Sequence, residues 1–297
     1  MQTINKIGLG TVQFGLNYGI SNQTGCVAEE EVRNILHTAW DSGVRLLDTA
    51  SAYGNSEEVL GKAIDSECRF QIVTKVPKMA SELMPDGVET FICQTFEQSL
   101  RKLRKQTVYS LMFHDANDLL SDRGNDAYTA VKTLKERGKI EKIGVSAYTQ
   151  HQLEAIVERF DIDLVQVPVS VFDQRLVRSG YLAELHHRDI EIHARSVFLQ
   201  GLLLMNPEEV PPYFEPIRPK LREFHAEAKR LGVSPLKLAL TYIDGVCIIS
   251  RVIVGVTLVS ELREVLDALH EPALADFDRF AVNDEAMINP ALWKSKP

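Results

Sequence analysis

Eight short strand-like runs alternate with helical segments along the chain, and this order predicts an α/β fold: a (β/α)8 TIM barrel, single domain, spanning 1–297. Two further observations favour that fold. No low-complexity stretch or long Pro/Gly/Ser linker divides the 297 residues, and a barrel of this kind takes roughly 250 residues in one domain. The runs VRLLD, FQIVTK and RVIVGV are nearly continuous in apolar residues, as parallel strands covered on both faces should be.

The strands are expected at Lys6–Thr11, Val44–Asp48, Phe70–Lys75, Val108–Phe113, Ile140–Ser146, Leu164–Pro168, Ile190–Arg195 and Val252–Gly255. Helices are expected at Ala28–Ser42, Ser56–Ala63, Val88–Arg104, Asp126–Arg137, Thr149–Glu158, Leu176–His187, Ile217–Leu231 and Val259–Leu269. In the first of these, Val32, Ile35, Leu36 and Ala39 recur at helical spacing with charges opposite them. Gly43, Gly138 and Gly232 stand just past helix ends, where a left-handed cap fits. Such alternation requires right-handed crossovers between parallel strands. The open-sheet alternative needs a GxGxxG turn after the first strand, and GLGTVQFG does not supply it.

Composition narrows the function. The formal charge is −8, from 33 Lys+Arg against 41 Asp+Glu. That balance disfavours nucleic acid, which rewards a basic stripe. Apolar runs fall far short of the roughly 18 residues of a membrane helix, and MQTINKIGLG has no secretory pattern. The four cysteines form no CxxC, which fits reduced thiols in a cytoplasmic protein. The histidines show no metal spacing, so no metal is expected.

In a barrel the chemistry lies where strands end and βα loops begin. Strand two ends LLDTASAY, giving Asp48 and Tyr53. Strand three ends at Lys75 and strand four at His114. Singly, each has an ordinary structural explanation as a turn, a solvated end or a core histidine. Together they form a coherent set. A tyrosine hydroxyl, of reference pKa about 10, is a poor donor at neutral pH. A nearby lysine should lower that value, an aspartate should fix the lysine, and a histidine can orient a carbonyl oxygen. No side chain supplies hydride, so a nicotinamide or flavin cofactor is implied.

These residues, within GVRLLDTASAYGNSEEVLGKAI, IVTKVPK, YSLMFHD, KIGVSAY, LVQVPVS, FLQGLL and VIVGVTLVSELREVL, resemble the aldo-keto reductase superfamily, its bacterial members most of all. The segments run in the family's order over nearly the whole chain. The resemblance implies an NAD(P)-dependent aldo-keto reductase binding NADP(H) or NAD(H), with Asp48, Tyr53, Lys75 and His114 catalytic. Tyr53 would be the general acid in reduction and the base in oxidation. The implied cofactor-binding positions are Asp48, Ser146, Gln166, Arg195, Phe198, Gln200, Gly201, Gly255, Thr257, Glu261 and Glu264.

Three positions depart from the family pattern. Ala147 replaces an asparagine that contacts the carboxamide. Arg195 replaces an aromatic packed on the nicotinamide; its guanidinium can stack but adds positive charge there. Glu261 stands where NADP-preferring members carry a base, so NADP preference should be weak or reversed, with Glu261 accepting from a free ribose hydroxyl.

Substrate choice is expected in the mouth loops at about 13–26, 77–87, 115–125 and 200–219. Phe14, Asn17, Tyr18, Tyr213 and Phe214 suit a small-molecule carbonyl or sugar. A short C-terminal tail, 270–297, brings Trp293 back onto the barrel or over its mouth. The expected activity is reversible reduction of an aldehyde, ketone or sugar carbonyl. The alternative is a cofactor-sensing or scaffold subunit on the same barrel with little turnover. Oligomeric state has no sequence signal.

Overall fold

Strands buried along nearly their whole length build the molecule. In the computed structural model, which describes residues 6–22, 25–80, 84, 87–269 and 275–293, eight parallel strands pair in sequence order and close into a barrel. They are β1 (Ile7–Gly10), β2 (Leu46–Asp48), β3 (Gln71–Val76), β4 (Val108–Phe113), β5 (Ile140–Ser146), β6 (Leu164–Pro168), β7 (Glu191–Arg195) and β8 (Arg251–Gly255). Every expected strand is present, with ends moved by at most two residues.

Alternate residues of each strand point to opposite faces. The outward set joins the surrounding helices in one large core. Leu46, Val73, Met112, Leu164 and Ile253, joined by Tyr109 from the start of β4, form a second, separate cluster that plugs the barrel. Beneath this plug Glu191 joins Tyr109, Lys142 and His193 in one hydrogen-bonded group. Above it, two residues further along their strands, come Asp48, Lys75, His114, Gln166 and Gly255. Strand register places Ser146 beside Gln166, and Arg195 beside Pro168.

The outer helices are α1 (Glu29–Asp41), α2 (Ser56–Ala63), α3 (Val88–Leu103), α4 (Ala116–Leu120), α5 (Gly124–Glu136) and α6 (Gln150–Val157). They continue with α7 (Arg175–Arg178), α8 (Tyr181–His187), α9 (Arg218–Leu231), α10 (Pro235–Gly245), α11 (Val259–Ala268) and α12 (Glu285–Ile288). Two differ from expectation in an informative way. The single helix expected over Leu176–His187 is broken, because Gly180 adopts φ 79° between α7 and α8, a left-handed geometry that glycine adopts freely. The sequence reading also omitted α10. Ser234 caps it by accepting from the Lys237 N–H at 3.1 Å, and Pro235 occupies its first turn.

The tail folds back. Trp293 packs edge-on against Phe214, with centroids 4.8 Å apart, and the Tyr213 hydroxyl donates to the Ala286 carbonyl. Tail residues 270–274, His270 among them, and 294–297 lie outside the described residues, as do 23–24, 81–83 and 85–86 of the mouth loops. Among the described residues no helix is long and apolar enough to cross a membrane.

Candidate active site

A cavity of about 660 Å3 opens where the strands end. Asp48, Tyr53, His114, Ser146, Gln166 and Arg195 line one end, and Gly255, Thr257, Glu261 and Glu264 line the other. Phe198, Gln200 and Gly201 border it from the loop after β7. Every expected site residue except Lys75 therefore faces one pocket.

Lys75 lies just beneath, only 1% exposed. Its Nζ donates to both Asp48 carboxylate oxygens, at 2.7 and 2.8 Å, and to the Thr49 carbonyl at 3.0 Å. Its fourth neighbour is the Tyr53 hydroxyl at 3.5 Å. Asp48 accepts again from Gln166 Nε2 at 2.8 Å, which leaves the Gln166 carbonyl oxygen for other partners. The Tyr53 and His114 rings meet edge to face, centroids 5.6 Å apart.

The turn carrying Tyr53 is anchored from below. Ser56 Oγ donates to the Thr11 carbonyl at 2.8 Å, and lies 2.9 Å from the Thr11 hydroxyl. Gly15 seals the contact: a Cβ there would fall 2.0 Å from the Tyr53 carbonyl oxygen and 2.4 Å from the Ser56 nitrogen. Gly15 ends GLGTVQFG, a segment whose glycines lack the GxGxxG spacing and give no sequence pattern for this contact.

Electrostatics corrects one expectation. Lys75 was expected to lower the Tyr53 pKa. Instead burial first, and then Asp48, push that hydroxyl well above the ordinary tyrosine range. The reason is that the Lys75 charge is balanced by Asp48, while burial pulls the ammonium itself below the usual lysine range. The cation that pulls Tyr53 back down is Arg195. Burial and then Lys75 hold His114 down at about 4, so its imidazole is neutral at pH 7. Tyr18, which faces the same cavity, is pushed up to about 12, chiefly by burial.

The far end suits a dinucleotide. Gly255 lies beside Gln13 there: a Cβ at Gly255 would fall 2.7 Å from the flexible end of the Gln13 side chain. Gln13 Oε1 is enclosed without a partner. The start of α11 is already occupied by acid. Glu261 accepts from the Thr257 N–H at 2.6 Å, the Thr257 hydroxyl at 3.1 Å and the Leu258 N–H at 3.3 Å. Glu31 of α1 accepts from the Val259 N–H at 2.8 Å. Ser234, Pro235 and Leu236 of the unforeseen α10 line this end too.

The mouth loops contribute less than expected. Tyr18 lines the cavity, together with Tyr148 and Asn22, which the sequence reading did not single out. Phe14 and Phe214 are each 1% exposed and belong to the core. Neither they nor Asn17 and Tyr213 line the cavity. Tyr213 and Phe214 are taken up in holding the tail. Among the described residues no cluster of His, Cys, Asp or Glu has metal-binding geometry.

The sequence model of the Aldo/keto reductase family matches residues 6–280. The chain belongs to that family. It is a carbonyl-reducing, NAD(P)-dependent oxidoreductase on a (β/α)8 barrel. A relative named L-galactose dehydrogenase, from Arabidopsis thaliana, is 25% identical over 97% of this chain and 91% of its own length. D-threo-aldose 1-dehydrogenase from Pseudomonas sp. is 26% identical over 63% of this chain and 67% of its own length. Among solved structures, an aldo-keto reductase from Bacillus halodurans in its holo form superimposes with a TM-score of 0.77. It is 19% identical, over 93% of this chain and 92% of that one, a likeness of fold.

Proposed function

We propose that this aldo-keto reductase interconverts a hydroxylated carbonyl compound of the aldose type and its alcohol or lactone counterpart, with Tyr53 moving the proton. The observation carrying this reading is the Tyr53 hydroxyl, 3.5 Å from an ammonium that Asp48 grips with both oxygens, inside the cavity.

The bound nicotinamide supplies or accepts the hydride. In reduction, negative charge develops on the substrate oxygen, and Tyr53, protonated at neutral pH, donates to it. Lys75 sits behind that hydroxyl and, with its charge offset by Asp48, holds the Tyr53 oxygen in position by hydrogen bonding. Neutral His114 keeps an N–H available as a hydrogen-bond donor to the carbonyl oxygen. Asp48 holds Lys75 against its desolvation. In oxidation the same groups run in reverse.

Two features favour an aldose-type substrate. Tyr18, Tyr148, Asn22 and Ser196 combine rings with amide and hydroxyl groups beside Tyr53, a mixture that covers apolar sugar faces and bonds hydroxyls. The two relatives above are named for aldoses. At the far end, Glu261 takes the Thr257 and Leu258 N–H groups just before α11 and Glu31 takes the first helical one, at Val259; this negative charge where a 2′-phosphate would approach favours a free ribose hydroxyl, and hence NAD(H).

Steady-state rates across aldoses, simple aldehydes and ketones, each with both cofactors, test the reading. Turnover highest with an aldose and with NAD(H) is the expected result. Activity confined to apolar aldehydes contradicts the substrate assignment, and stronger saturation by NADPH contradicts the role of Glu261.

A further inference from the structure

Arg195 ends β7 and lines the cavity at the Tyr53 end. Its guanidinium carbon lies 4.1 Å from the centroid of the Tyr148 ring. Its hydrogen bond is a long one, from Nη1 to Ser196 Oγ at 3.4 Å. Nε and Nη2 are enclosed with no acceptor. Among the described residues no carboxylate forms an ion pair with it. The neighbouring cation is different, since Lys75 is held by Asp48, and His114 is neutral. Arg195 is thus the uncompensated positive charge at this end of the cavity. Its field reaches the reacting group, because it opposes burial and Asp48 at Tyr53.

A hydride-exchanging ring must touch the substrate carbon whose oxygen meets Tyr53. That requirement puts the ring within reach of the same guanidinium. A nicotinamide ring is cationic when oxidised and neutral when reduced. We propose that Arg195 biases the site toward alcohol oxidation, because its unpaired charge disfavours the oxidised cofactor relative to the reduced one. The inference rests on the reading given under Proposed function. In this direction the substrate C–H bond breaks and its electron pair leaves with hydrogen to the ring. The O–H bond gives its proton to the Tyr53 oxygen, and the C=O bond forms. NAD(P)+ is the oxidant. The same positive charge steadies the phenolate that Tyr53 must present as base.

Two unit charges about 6 Å apart at an effective dielectric near 20 shift an equilibrium by about 100-fold. Solvent entering the cavity weakens this, so about tenfold is the expected effect. The test is calorimetric titration of the unaltered protein with the oxidised and reduced forms of whichever dinucleotide it binds more tightly. The reduced form should bind more tightly, and the reverse order overturns the proposal. Arg195→Gln should lower the ratio of oxidised to reduced Kd by about tenfold, which is about 1.4 kcal/mol. Arg195→Lys, which keeps the charge, should hold the ratio near that of the unaltered protein. An unmoved ratio in Arg195→Gln, or an equal fall in Arg195→Lys, overturns it. Failure of the unaltered protein to bind either form overturns the reading of the pocket as well. Binding with an unmoved ratio overturns this inference alone.

Discussion

At Asp48, Tyr53, Lys75 and His114 the residue types and their strand-end positions were legible in the sequence, because parallel strands put consecutive ends side by side. Their charge states were not. Pairing of Lys75 with Asp48 depends on a contact across two strands, and that contact decides whether the lysine field reaches Tyr53. The same is true of Arg195, whose lack of a carboxylate partner is a property of three dimensions. His114 carries a prediction at this scale. Burial, and then Lys75, lower its pKa from 6.5 to about 4. Between those values the unfolded chain binds the proton and the folded chain does not, so stability falls as pH falls through that window. His114→Gln removes this contribution and leaves that of His193, which burial shifts in the same direction. Urea midpoints at pH 7 and pH 5 should therefore differ less in His114→Gln than in the unaltered protein. Equal differences contradict the burial of a neutral imidazole.

Among the elements, the strands were readable to within two residues because most are apolar runs bounded by polar turns, β5 and β7 being the exceptions with Glu141, Lys142, Glu191 and His193 inside them. Helix α10 was not, because Leu236, Leu238, Ala239, Leu240, Tyr242 and Ile243 are all buried, which leaves no clean polar stripe to mark the period. Its Ser234–Pro235 start was the available signal. The break at Gly180 was lost for the opposite reason, since a glycine inside an amphipathic pattern reads as tolerated. The contact between the β1 loop and the Tyr53 turn belongs to this scale. In Gly15→Ala the new methyl meets backbone at 2.0 and 2.4 Å, and backbone cannot rotate away. The Tyr53 turn must then move. A shift near 1 Å is expected to lower kcat by about 10²-fold, while overpacking costs about 1–3 kcal/mol of stability. Cofactor titration should stay close to that of the unaltered protein, since Gly15 does not line the cavity. Unchanged kcat in a folded Gly15→Ala protein contradicts the anchoring role.

For the molecule as a whole, alternation and length identified the barrel, and the barrel then ordered the site: a polar group below, an apolar plug, and the reacting groups above. What sequence could not order was the mouth, because loop residues have no period. Phe14 and Phe214 went to the core instead, and the tail holds Tyr213 through the Ala286 carbonyl and Phe214 through Trp293. The net charge of −8 acquires local meaning here, for two of those acids, Glu31 and Glu261, bind N–H groups at and just before the start of α11. All of this converges on one hydroxyl. Tyr53→Phe removes it while leaving the ring against His114 and the cavity intact. Carbonyl-dependent oxidation of the reduced cofactor, measured beside cofactor binding, should fall by about 10²–10⁴-fold with the cofactor Kd unchanged. Retention of the unaltered rate by the phenylalanine variant would contradict the account.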